Sequence, residues 1–228
     1  MKTIGIVGIT AEGGSLCYKT IVSEAAKILG DYKHPEIVLV NPEFLGILEA
    51  QRANNWDKVA EICVTAIKKL ESIGADLIII PGNSIHFAFE KIKNESNIPV
   101  ISIVETAAEE CVTRGFKKVA VLGVGITMSS GLYKESLEGK GIEYRVPEEE
   151  QQKIINKIIY EEIVPARVTK ESVGVVIKII EKLKEEGCDG VILGCTELPI
   201  IITEDNSPIP FIDTTRLLAK KVLEMSLK

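Results

Sequence analysis

The sequence predicts an α/β fold built from two similar lobes in tandem, each a parallel sheet wrapped by helices, with an active-site cleft between them. Three observations carry that prediction. Strand-like and helix-like segments alternate along the chain, the pattern of β-α-β units with right-handed crossovers. The run Gly190-Val191-Ile192-Leu193 is apolar throughout and too short for a helix, as a strand covered on both faces reads. That run also repeats an earlier one: Gly74-Ala75-Asp76 lies over Gly187-Cys188-Asp189 at a spacing of 113 (187 − 74 = 113), which places Gly82 over Cys195. Lys2 to Gly8 lies over Lys117 to Gly123 and Tyr18-Lys19 over Tyr133-Lys134, both at 115, and Ile98-Pro99-Val100 over Ile209-Pro210-Phe211 at 111. Chance does not hold a spacing this steady. The reading is a duplication, with lobes at residues 1–115 and 116–228 and a C-terminal helix able to pack back on the first lobe.

Taken in order, a strand is predicted over residues 3–8, then a helix over 15–29 capped by Ser15, and a strand over 36–40 closed by Asn41-Pro42. A loop carrying Arg52 leads to a helix over 56–72, whose Val59, Ile62, Cys63, Ala66, Ile67 and Leu70 recur at helical spacing and put Cys63 on a packed face. A strand over 77–80, a short helix over 85–92, a strand over 100–103 and a helix over 105–114 complete the first half. The second half restarts with a strand over 118–122, a loop over 123–130, a helix over 132–137 and a strand over 142–145. Helices over 149–159 and 170–186, the strand before Cys195, a strand over 210–212 and a helix over 214–227 follow.

Composition narrows the function. With 228 residues, 46% hydrophobic and 26% charged, the chain is globular and long enough to bury a large core. A net charge of −6 with no basic cluster beside aromatics points away from nucleic acid. No leader or membrane span is read, since the first apolar segment ends at Thr10 with Glu12 after it, so a cytoplasmic protein is expected. Five cysteines without CxxC spacing argue against a disulfide framework or a zinc site, and no metal is expected. Gly123-Val124-Gly125 opens like a dinucleotide fingerprint, but its third glycine falls on Met128, so it reads as a tight turn. His34, beside Pro35 in a loop, reads as a surface residue.

Chemistry concentrates after the repeated strand. Gly194-Cys195-Thr196-Glu197 sets a thiol, a hydroxyl and a carboxylate directly off a strand's carboxyl end, where open α/β sheets bind ligands. A free cysteine is most often a small buried hydrophobe. Cys195 departs from that pattern because Thr196 and Glu197 flank it, and backbone N–H groups at a strand-end loop are expected to depress its pKa and make it the most reactive of the five thiols. His86, four residues after Gly82, reads either as a hydrogen-bonded structural histidine or as a catalytic one. Arg52 reads either as a bidentate carboxylate clamp or as a solvated cation.

Gly194-Cys195-Thr196-Glu197-Leu198-Pro199, Thr127-Met128-Ser129-Ser130-Gly131-Leu132-Tyr133 and Asn83-Ser84-Ile85-His86 together resemble the motifs of the aspartate/glutamate racemase superfamily, and the resemblance spans the chain. It implies two lobes, a homodimer, a small carboxylate substrate, and racemisation at Cα without pyridoxal phosphate or any other cofactor. Two acid/base groups then flank the carbon. Cys195 matches one of the family's cysteines. Gly82 stands where the first cysteine belongs, which leaves His86 as the only nearby substitute base. By the same resemblance Asn83, Ser84, Thr127, Ser129, Thr196, Glu197 and Arg52 hold the substrate. Two departures point away from aspartate itself: Ile9-Thr10-Ala11-Glu12 replaces the family's Gly-Met-Gly-Pro turn, and Val164-Pro165-Ala166 stands where a lysine follows Tyr160-Glu161-Glu162, with Arg167 the nearest cation. The expected function is a cofactor-independent amino-acid racemase or epimerase acting with one cysteine. A malonate-type decarboxylase using a single cysteine acid, and a small-acid binding protein without catalysis, are the alternatives.

Overall fold

The computed structural model describes all 228 residues. The chain divides into two units, Met1–Thr106 with Thr215–Lys228, and Ala107–Thr214. The first unit contains β1 (Ile4–Val7), α1 (Ala11–Leu29), β2 (Ile37–Val40), α2 (Phe44–Arg52), α3 (Trp56–Ser72), β3 (Leu77–Ile79), a 3-10 turn (Ser84–Ala88), α4 (Phe89–Glu95) and β4 (Val100–Ile101). Helix α5 (Ile103–Thr113) starts in it. The second unit contains β5 (Lys118–Gly123), α6 (Gly125–Ser129), α7 (Lys134–Glu138), β6 (Glu143–Arg145), α8 (Glu149–Ile158), a π-helical turn (Ile159–Ile163), α9 (Lys170–Glu185), β7 (Gly190–Gly194), a 3-10 turn (Leu198–Ile200) and β8 (Phe211–Asp213). From Thr215 onward α10 (Thr214–Ser226) belongs to the first unit, where the Ser226 carbonyl accepts from the Lys2 N–H at 2.9 Å.

Each unit is an α/β layer structure around one four-stranded parallel sheet, in the orders β2-β1-β3-β4 and β6-β5-β7-β8. Helices on both faces demand strands that are apolar throughout, and β1, β3 and β7 are buried at every position. Each unit has its own core. In the first, α3 lays Val59, Cys63, Ala66, Ile67 and Leu70 against Ile78 and Ile80; in the second, α9 lays Val176, Ile180 and Leu183 against Val191 and Leu193. A buried aliphatic side chain is worth about 1.5–3 kcal/mol, so these helical faces, Cys63 included, hold their sheets.

The internal repeat is written in hydrogen bonds as well as in sequence. Gly74 and Gly187 end α3 and α9 in left-handed backbone, φ +87° and +93°, which a side chain would strain. Immediately after them, Asp76 Oδ2 accepts from the Thr3 N–H at 2.7 Å, and Asp189 accepts from the Lys117 and Lys118 N–H groups at 2.8 and 3.1 Å. Downstream, the Ile78 and Val191 N–H groups donate to the Pro99 and Pro210 carbonyls at 2.9 and 3.0 Å.

Four stretches differ from expectation. Helix α1 starts at Ala11, capped by Thr10, whose hydroxyl accepts from the Gly13 N–H; Ser15 is inside the helix and bonds back to the Ala11 carbonyl at 2.7 Å. The segment read as a loop around Arg52 is helix α2. The loop after β5 contains the short helix α6, and α8 runs on into the π-turn rather than stopping.

Candidate active site

In both sheets the strand order reverses between the first and third strands, so the loops leaving their carboxyl ends diverge and open a crevice, the usual ligand position in an open α/β sheet. In the second unit that position lies between the ends of β5 and β7, where Gly123 and Gly194 are paired. Thr127 sits directly on them. A Cβ on Gly123 would lie 3.1 Å from the Thr127 methyl carbon, and one on Gly194 would lie 3.2 Å from it, so both glycines make room for this threonine. Its hydroxyl is fully buried and has no hydrogen-bond partner. The α6 backbone is anchored from α8, where Asn156 Oδ1 accepts from the Gly125 N–H at 2.7 Å.

Cys195 is the first residue beyond β7 and is only 8% exposed. Its Sγ–H donates to Glu197 Oε2 at 2.9 Å. Burial, the Glu197 charge and that hydrogen bond push the thiol well above its ordinary 9.0, while the Glu197 and Leu198 N–H groups pull the other way. The expected depression of this pKa is therefore overturned: the donors are present, but desolvation and an adjacent carboxylate outweigh them. All five cysteines are buried, so accessibility does not favour Cys195 either. Thr196 is buried beside it, and Ser129 is exposed at the end of α6.

The matching end in the first unit is Gly82, two residues beyond Ile80. A Cβ there would lie 3.1 Å from Ile85 Cγ1 and 3.2 Å from Ile9 Cγ1, so aliphatic side chains crowd the space a cysteine would use. Asn83 is buried, and Ser84 Oγ accepts from Gln51 Nε2 at 2.9 Å. His86 takes the structural role. Its Nδ1 hydrogen-bonds the Gly82 carbonyl and its Nε2 accepts from the Ile103 N–H, both at 3.0 Å, and its ring stacks on Phe89. Burial lowers its pKa to about 4. With both nitrogens committed to backbone, His86 is a neutral brace between the Gly82 loop and the start of α5, and the substitute-base expectation has no free nitrogen to rest on. Arg52 is exposed in the last turn of α2 with no hydrogen bond or ion pair from its side chain. Its neighbour Gln51 reaches the Ser84 segment instead.

Sequence reasoning missed Gln51, Asn156 and Glu162. Gln51 was hidden by the reading of α2 as a loop. Asn156 falls one residue after the buried Ile155, where polar residues normally face solvent. Glu162 carries a buried oxygen, Oε2, with no partner, and its signal was available: it follows Ile158 by four residues and Ile159 by three, a core position on this helical stripe.

The Asp/Glu/hydantoin racemase family model matches residues 6–222. The broad-specificity amino-acid racemase RacX of Bacillus subtilis is 27% identical over 226 residues, covering 96% of each chain. An aspartate racemase homologue from Pyrococcus horikoshii superposes over the full length of both chains with a TM-score of 0.89 at 34% identity. An aspartate racemase from Picrophilus torridus does so over all of this chain and 95% of its own, with a TM-score of 0.82 at 29% identity.

Proposed function

The chain belongs to the Asp/Glu/hydantoin racemase family, and from that membership we propose that it is a cofactor-independent amino-acid racemase-like enzyme that moves a proton at Cα of a small carboxylate through Cys195. The observation that carries the reading is Cys195 itself, the first residue past β7, its Sγ–H donating to Glu197 Oε2. At neutral pH the proton stays on sulfur, so the resting group is an acid poised to protonate a planar carbanion-like intermediate. To abstract a proton it must first pass its own to Glu197, 2.9 Å away. The Thr127 hydroxyl and the loop amides after Cys195 receive the substrate carboxylate as charge develops there.

In deuterated buffer, deuterium enters the α-position of the substrate amino acid, and Cys195→Ser slows that exchange by about 10²-fold or more, the usual contribution of one acid/base group. Exchange that survives Cys195→Ser at the wild-type rate refutes the assignment. One observation favours a second reading, decarboxylation of a substituted malonate: a protonated thiol at Cys195 with glycine at position 82 supplies a single acid, which is what protonation of an enediolate requires. Carbon dioxide release in a single turnover separates the two.

A further inference from the structure

Helix α2 ends against the core of the first unit, and one polar side chain of its last turn reaches beyond it. Ile47 and Ala50 are buried on α2, and the Ala50 carbonyl accepts at 2.8 Å from the N–H of Asn55, which caps α3. Gln51, half-buried between Ala50 and the exposed Arg52, is therefore held on a fixed backbone. Its Nε2 donates to Ser84 Oγ at 2.9 Å, across 33 residues of sequence. Ser84 opens the 3-10 turn behind Gly82 and is fixed from its other side as well, because His86 in the same turn bonds the Gly82 carbonyl and the Ile103 N–H. The turn follows the carboxyl end of β3, beside β1, where the strand order of this sheet reverses. A Cβ at Gly82 would meet Ile9, which follows β1, so the two loops bordering that switch point are neighbours.

The direction of the Gln51 bond decides what Ser84 can do. An amide NH2 only donates, whereas a hydroxyl carries one proton and two lone pairs. Accepting from Gln51 uses a lone pair and leaves the Ser84 proton, which no group of the chain accepts. We propose that Gln51 is a positioning residue: it holds Ser84 as a hydrogen-bond donor to a carboxylate oxygen of the small acid that this protein binds. The inference rests on the reading of the ligand as a small carboxylate and needs no chemistry at Cys195. A serine whose proton was already taken by the protein would turn a lone pair to the ligand, and two acceptors repel. An ionised carboxylate accepts and never donates, so the chain from amide to hydroxyl to carboxylate runs in one direction, each bond polarising the next. Gln51→Glu keeps the shape of the side chain and reverses that direction, since a carboxylate at position 51 accepts the Ser84 proton.

Trp56, the only tryptophan of the chain, supplies the readout: its ring centroid lies 4.8 Å from that of Phe87, in the Ser84 turn. Fluorescence titration compares wild type, Gln51→Glu, Gln51→Leu, Ser84→Ala and the double variant of the last two. The titrants are L- and D-alanine, L- and D-aspartate and malonate, each alongside its amide. Dissociation constants for the acids are expected to rise at least tenfold in Gln51→Glu, the scale of one hydrogen bond to a charged group, and severalfold in Gln51→Leu, where Ser84 is free to turn. Those for the amides stay within twofold, because an amide presents both a donor and an acceptor and tolerates either direction. With Ser84→Ala already in place, Gln51→Leu has no further effect, since Gln51 acts through that hydroxyl. The proposal is overturned if none of these acids binds wild type, or if Gln51→Glu binds them as wild type does, which would put the Ser84 proton on the amide oxygen or in water. Additive losses in the double variant overturn it as well, and acids and amides weakening together would reduce Gln51 to a structural staple. Deuterium exchange on the same samples keeps the two readings apart. Coupled acid binding with no exchange on any amino acid upholds Gln51 and refutes the catalytic reading, whereas wild-type exchange that Gln51→Glu leaves undiminished overturns Gln51 alone.

Discussion

Gly82 and Cys195 occupy one position in a repeated sequence, and the atoms around them show how far the two copies have diverged. Cys195 has a carboxylate at hydrogen-bond distance, whereas the atoms nearest a Cβ at Gly82 are Ile85 and Ile9 carbons at 3.1–3.6 Å. The backbone at Gly82 is not left-handed, so a side chain is conformationally admissible there and the obstacle is packing alone. Gly82→Cys is expected to fold at a cost of about 1–3 kcal/mol from overpacking, relieved by adding Ile9→Ala. The double variant restores the thiol that the family resemblance places at position 82, and chiral chromatography should show interconversion of enantiomers at least tenfold faster than in wild type. A well-folded double variant that racemises no faster would sink the correspondence between Gly82 and Cys195 as a chemical one. At this scale the sequence was legible where a residue type is rare at its position, as with a thiol flanked by Thr196 and Glu197. It was illegible where an ordinary glutamate or glutamine on a helix turned out to be buried or bridging, because a surface helix carries such residues everywhere.

Elements were legible where burial enforces a period. Helix α3 came out with its predicted bounds because its buried stripe admits no other register, while α1 starts four residues before the expected Ser15 because Thr10 provides the cap instead. Gly14 is buried close to Leu39 Cδ1 and the Gly8 Cα, an approach that a larger residue would block. The cost of glycine inside a helix, roughly 0.5–1 kcal/mol, is accepted for that contact. The 3-10 turn after Gly82 shows the same subordination of local preference to tertiary bonds, since His86 ties it to the Gly82 carbonyl through Nδ1 and to α5 through Nε2. The bond from Ile103 and the burial of the ring both need the neutral form, while the bond to the Gly82 carbonyl favours the charged one and only partly offsets them. With the folded pKa lowered to about 4 from 6.5, the stabilisation is complete above pH 6.5 and is lost as pH falls through 4. The shift corresponds to about 3 kcal/mol at 1.36 kcal/mol per pH unit. Urea unfolding of wild type and His86→Gln at a series of pH values should show the variant less stable at pH 7 and the gap closing between pH 6.5 and 4. A gap that stays constant over that range would show that His86 is not the neutral brace described.

Across the whole molecule, the repeat that organised the sequence reading separates structure from chemistry. Its amino-end positions are the same in both copies. Gly74 and Gly187 end a helix, and Asp76 and Asp189 hold the first N–H groups of β1 and β5. Its carboxyl-end positions have drifted apart, to Gly82-Asn83-Ser84 in one copy and Cys195-Thr196-Glu197 in the other. The fold was therefore legible from the matching half of the repeat, and the site only in part, because the non-matching half depends on tertiary contacts such as Gln51 to Ser84 and Asn156 to Gly125 that no repeat spacing encodes. If this division is right, the two aspartates are structural although both are polar and sit beside the strands that lead to the site. Each is a carboxylate accepting backbone N–H bonds near the surface, so truncation leaves donors partly solvated and costs toward the low end of a charged hydrogen bond. About 1 kcal/mol is expected for Asp76→Ala and about 1–2 kcal/mol for Asp189→Ala, which loses two bonds. With separate sheets and no shared partner, the double variant should lose the sum to within about 0.5 kcal/mol in urea unfolding. Ligand affinity and α-proton exchange should stay within twofold of wild type, because both residues lie at the opposite end of their strands from Gly82 and Cys195. A tenfold fall in exchange for Asp189→Ala at unchanged stability would place it in the chemistry and undo the separation.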